Sequence, residues 1–138
     1  MFRTMNFSRW VFRIAGIYGI LIIIPMFFSE ARMNQQFPPD ITHPEYYYGF
    51  AGVTLAWQVA FLVISMDPQR YRMLIIPCII EKWAYVVELF VLYLQDRITA
   101  FQLGFSGIDF SLGALFLTVF MVTGRNHLVR AGVSAPPR

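Results

Sequence analysis

Four charge-bearing residues occur together in the third and fourth long apolar stretches of this 138-residue chain: Glu81, Lys82, Glu88 and Asp109. Each such group in a membrane-spanning helix costs about 2.5–3.5 kcal/mol on insertion scales, so it normally faces a bundle interior and marks a functional position. Three acids share one lysine, so some must pair or stay protonated. Advancing about 100° per residue, Pro77, Glu81, Tyr85, Glu88 and Leu92 fall on one helix face, with Cys78 at its edge and Lys82 turned aside. Two carboxyls of unlike proton affinity suffice for general acid–base work, so this face could act on a lipophilic substrate or carry a proton. The plainer reading is an ion cluster that orients helices. In the preceding apolar stretch Thr54 and Gln58 share a polar stripe with Tyr47 and Ser65, suited to interhelical hydrogen bonds or to lining a polar cavity. Lys82 is expected to pair with Asp109 and not with Glu81, because adjacent helical residues do not face each other. Glu88 and Asp109 are expected to reach a common depth.

Little else could do chemistry. The single cysteine, Cys78, excludes an intramolecular disulfide and thiol-pair quinone chemistry. His43 and His127 fall outside the apolar runs, so neither can ligate a haem within the membrane, and His127 reads as an interfacial anchor. His43 with Asp40 and Glu45 is a meagre metal set. No nucleophile–base pair, metal cluster or phosphate loop is visible, and no cofactor is expected.

The elements that position these residues follow from the apolar pattern. Apolar residues make up 57% of the chain and charged ones 14%, too greasy for a soluble domain. The runs at about 11–28, 47–66, 74–94 and 101–123 each approach the roughly 20 residues that a helix needs to cross hydrocarbon. The expected class is therefore all-α membrane: a single domain, 1–138, folded as a four-helix antiparallel transmembrane bundle. Pro38-Pro39 and Thr42-His43-Pro44 delimit the second span, Asp67-Pro68 ends it, Asp96-Arg97 closes the third, and the tail 124–138 reads as disordered. The loop from Ser29 to about Tyr46 is the only room for extra-membrane structure. Pro77 is expected to bend its helix. Small residues at Gly49, Gly52, Ala56 and Ala60, and at Gly104, Gly107, Ser111 and Ala114, predict packing seams. Trp10, Trp83, Tyr46, Tyr47, Tyr48 and Tyr93 read as aromatic belts or core filling.

Arg3, Arg9, Arg13, Arg70, Arg72, Arg125, Arg130 and Arg138 fall on one side of this arrangement, and Arg32 and Arg97 on the other. The excess of arginine places both termini in the cytoplasm. These arginines flank apolar runs, so the net charge of +3 implies membrane-edge anchoring and not nucleic-acid binding. The first run reads as a retained span, since Pro25-Met26-Phe27-Phe28-Ser29-Glu30 lacks a signal-cleavage pattern.

The stretch Pro44-Glu45-Tyr46-Tyr47-Tyr48, then Asp67-Pro68-Gln69-Arg70-Tyr71-Arg72 and a third span with Pro77 and Glu81-Lys82, resembles small uncharacterised four-helix bacterial integral membrane proteins. That resemblance implies a bacterial inner membrane and carries no activity. A fainter one is to the EXPERA group of sterol isomerases and the sigma-2 receptor, in which buried acids act on or bind a lipophilic amine or sterol. The first and second spans here lack the acids of that group, so none of its residues carries over. The leading expectation is a noncatalytic bundle whose partners are membrane lipids, a lipophilic small molecule or a larger membrane complex. An acid–base enzyme on a lipophilic substrate and a small proton-coupled transporter are the alternatives.

Overall fold

Hydrocarbon offers no partner for an open backbone, so an apolar chain must satisfy its N–H and C=O groups within each segment. Every regular element among the described residues is a helix. The computed structural model describes the backbone of residues 2–130 and the side chains of residues 5–124. In order these are α1 (Phe2–Met26), α2 (Glu30–Gln36), α3 (Pro44–Met66), a 3-10 turn (Arg72–Leu74), α4 (Ile75–Leu94), α5 (Ala100–Gly104) and α6 (Ser106–Arg130). Three stretches are long and apolar enough to cross a bilayer, Met5–Met26, Pro44–Met66 and Ala100–Gly124, which marks a membrane protein. α4 is 20 residues long but carries Glu81, Lys82 and Glu88, and is not among the three.

The boundaries have local causes. Pro44 opens α3, where its missing N–H has no intrahelical partner to lose. Asp67 ends that helix, and its Oδ1 accepts from the Arg70 N–H at 3.1 Å in the turn that follows. α4 closes with the Arg97 N–H donating to the Leu92 carbonyl at 3.0 Å and the Asp96 N–H to Tyr93 at 3.1 Å, a Schellman pattern that holds Asp96 at φ 54°. Thr99 and Gln102 cap α5 reciprocally. Pro77 occupies the third residue of α4, where its nitrogen forfeits no intrahelical bond, so it need not bend the helix as expected. The first loop contains α2. α6 runs on to Arg130, past the expected start of a disordered tail at 124, because arginine is a good helix former and does not stop the chain. The rest of that tail, 131–138, and the side chains of Arg3, Arg125, His127, Arg130 and Arg138 lie outside the described residues.

Each long helix hides one narrow stripe: Phe12, Ala15, Gly16, Gly19 and Ile23 on α1; Ala51, Gln58, Phe61 and Ser65 on α3; Ile75, Cys78 and Lys82 on α4; and Ser106, Gly113, Phe116 and Thr123 on α6. α1 packs mainly on α3 and α4 mainly on α6, whereas α1 meets α6 less and α3 barely meets α4. Where the four converge, Phe12 stacks on Phe116 at 4.3 Å between ring centroids, and Phe61 meets Phe116 edge-on at 5.0 Å. Ile64, Ile75, Cys78 and Val119 complete this core. The α3–α4 turn clasps α6 beside it, through Gln69 donating to the Thr123 carbonyl at 3.2 Å and Arg72 to that of Phe120 at 3.3 Å.

The expected small-residue seams do not pack. A Cβ added at Gly49, Gly52, Gly104 or Gly107 would meet nothing within 4 Å, and Ser111 and Ala114 are exposed. The close approaches are elsewhere. Gly16 lies under Leu62 and the Gln58 carbonyl, Gly19 under the Gln58 side chain, and Gly113 under the Trp83 indole. Gly19 and Gly113 receive large side chains, and Gly16 also lets the α1 backbone approach the Gln58 carbonyl of α3. Trp83 fills this contact and is no belt residue.

Candidate functional site

Beyond the phenylalanine layer the two helix pairs leave a cleft of about 640 Å³ between them. Its walls are mainly apolar, from Tyr18, Ile22, Phe50, Val53, Trp57, Ile80, Ile108 and Leu112. The seven residues singled out in the sequence, Thr54, Gln58, Glu81, Lys82, Tyr85, Glu88 and Asp109, all line it.

Lys82 is the centre of the cluster. Its side chain is 7% exposed, and Nζ lies 2.8 Å from Asp109 Oδ1 and 5.4 Å from the centroid of the Phe61 ring. The expected pairing with Asp109 is present. The expected indifference to Glu81 is not, because Nζ donates to Glu81 Oε1 at 3.3 Å and sits 3.2 Å from Oε2. A four-carbon stem lets the ammonium fold back to a neighbour whose Cβ diverges from its own. Glu81 Oε2 is buried and makes no hydrogen bond of acceptable angle. One cation thus lies between two carboxylates.

Gln58 is 2% exposed and fixed from two sides. Its Nε2 donates to the Thr54 carbonyl at 3.1 Å, and the rest of the amide lies over Gly19, where any Cβ would collide. Towards the far end, Tyr85 faces Phe50 across the α3–α4 seam, with ring centroids 6.4 Å apart. Glu88 is exposed and has no hydrogen bond or ion pair among the described residues. It lines the same cleft as Asp109, so the two carboxyls share a compartment.

At the end remote from the phenylalanines, the Tyr47 hydroxyl donates to the Met26 carbonyl and that of Tyr48 to Glu30 Oε2, both at 2.8 Å, tying the start of α3 to the end of α1 and to α2. His43 Nδ1 lies 3.0 Å from Glu45 Oε1 at the surface, and no group of three metal-ligating side chains occurs among the described residues. Three contributors to the site are Gly19, Phe61 and Trp57, which the sequence reading did not single out. For Gly19 the signal was the small pair Gly16 and Gly19 within the first apolar run; for the two aromatics nothing distinguishes them from other core filling.

No protein-family model matches this chain, and comparison with curated proteins and with solved structures returns no match.

Proposed function

We propose that this chain is a noncatalytic membrane bundle that binds a lipophilic molecule in the cleft between its two helix pairs. In this reading α4 is the fourth span and the four long helices cross antiparallel, with both termini in the cytoplasm of a bacterial inner membrane. The pairing of Lys82 with Asp109 supports a spanning α4, since mutual neutralisation lowers the penalty of carrying ionisable groups into hydrocarbon. Arg9, Arg13, Arg70 and Arg72 gather at the phenylalanine end, the cytoplasmic one by arginine bias.

The observation that carries the reading is the cleft itself. Its volume falls in the range of about 300–1,000 Å³ usual for small-molecule sites, and its apolar walls converge on a few fixed polar groups. Catalysis has less support, because two of the three carboxylates are already engaged by Lys82. Native mass spectrometry of the detergent-purified protein tests this. A lipophilic adduct should accompany the chain and be lost in Thr54→Phe, which fills the cleft, while the variant still melts cooperatively. A chain that carries no adduct and is not stabilised by added lipid extract would overturn the proposal.

A further inference from the structure

The cleft opens along its length to whatever surrounds the helices. Val53 and Ile80, one on each side of the α3–α4 seam, are 63% and 62% exposed, and Ile22 and Ile108 flank the α1–α6 seam with about half their surface uncovered. In a bilayer these apolar edges touch acyl chains. The opposite end is closed by Phe12, Phe61 and Phe116, so the apolar route in is lateral. An unfilled apolar cleft forfeits dispersion contacts on both walls, and a neighbouring acyl chain restores them.

The charges select the headgroup. Lys82 is buried between Asp109 and Glu81, which already offset its charge before any phosphate approaches, and the three carboxylates outnumber it. Among the described residues Glu88 has neither ion pair nor hydrogen bond, and it is exposed along the cleft. At ~1.5 Å per residue it stands about 9 Å along the helix from Leu94, within reach of a headgroup drawn slightly inward. A carboxylate there favours a headgroup with ammonium N–H donors and repels one with net negative charge.

Resting on the binding role proposed above, the geometry points to a specific occupant: a bilayer phospholipid that inserts an acyl chain through the seams and presents a primary ammonium headgroup to Glu88. Trp57 lines the cleft and reports on it from inside. The protein with Trp57 as its sole tryptophan (Trp10→Phe, Trp83→Phe) is reconstituted in phosphatidylcholine vesicles containing an equal mole fraction of chain-brominated phosphatidylethanolamine or phosphatidylglycerol. Should Trp83→Phe disturb folding, the difference in quenching between wild type and Trp57→Phe gives the same signal. The ethanolamine lipid should quench Trp57 at severalfold lower mole fraction than the glycerol lipid, Glu88→Gln should abolish that preference, and Thr54→Phe should reduce quenching by both. Equal quenching by both lipids, unaltered by Glu88→Gln, overturns the headgroup assignment and leaves the cleft a binding site. No quenching of Trp57, with a lipophilic adduct still found by native mass spectrometry, overturns the phospholipid alone. Loss of both signals removes the binding role as well.

Discussion

Replacing Lys82 by Met removes the one cation lining the cleft among the described residues and leaves Glu81 and Asp109 facing each other, with side chains 20% and 22% exposed. Breaking a buried ion pair from one side costs about 3–5 kcal/mol, and uptake of a proton by either carboxyl holds the loss near the lower figure. Asp109→Asn is milder. It forfeits a charge-assisted contact at 2.8 Å, about 1.5–3 kcal/mol, but leaves the ammonium with Glu81. The double variant leaves one carboxyl without a charged neighbour and should be no less stable than Lys82→Met, so the coupling between the sites should at least equal the Asp109→Asn loss. Equilibrium unfolding in mixed detergent and dodecyl sulfate micelles measures all four corners of the cycle. Adding Glu81→Gln to the double variant should recover much of what remains. Losses that add within about 0.5 kcal/mol would refute the assignment of Asp109 as the partner of Lys82.

Gly19→Ala places a methyl against the Gln58 amide and should destabilise by about 1–3 kcal/mol, whereas Gly52→Ala and Gly107→Ala, with nothing within 4 Å of the added Cβ, should not lower the melting temperature in detergent. Phe116 contacts both Phe12 and Phe61 at the centre of the core, so Phe116→Ala should cost about 3–5 kcal/mol in the same unfolding assay. Asp96→Gly relieves a side chain held at φ 54°, roughly 1–2 kcal/mol, against about 0.5–1 kcal/mol for the freer unfolded chain, so a small net rise in melting temperature is expected.

The long helices were legible because length and apolarity alone specify them in lipid, and the residues lining the cleft because ionisable groups in such helices are too costly to place at random. Which faces pack was less legible. Stripes of small residues on the second and fourth apolar runs resemble seams, but the structure turns them largely outward and buries Gln58 and Ser65 of the polar stripe, with Thr54 half-buried. The reason is energetic: a glycine loses little by facing lipid, whereas an amide loses its hydrogen bonds. Helical angles put Lys82 a third of a turn from the acidic face, yet it became the centre of the site, because a long flexible stem is not bound by the direction of its Cβ. The end of α6 was missed because an apolar run marks where hydrocarbon stops, which is not where helical hydrogen bonding stops.

The stacked phenylalanines divide the molecule electrically as well as mechanically. Water and ions have no polar foothold between the stacked Phe12 and Phe116 rings, so in the proposed four-span arrangement a membrane voltage would fall more steeply over this dry layer than over the open cleft beyond it. Lys82, resting on the Phe61 ring, stands at the last position on the open side. If α4 spans as proposed, the cluster would exchange protons through the cleft, and carrying one to the other side would require the Phe12–Phe116 stack to part.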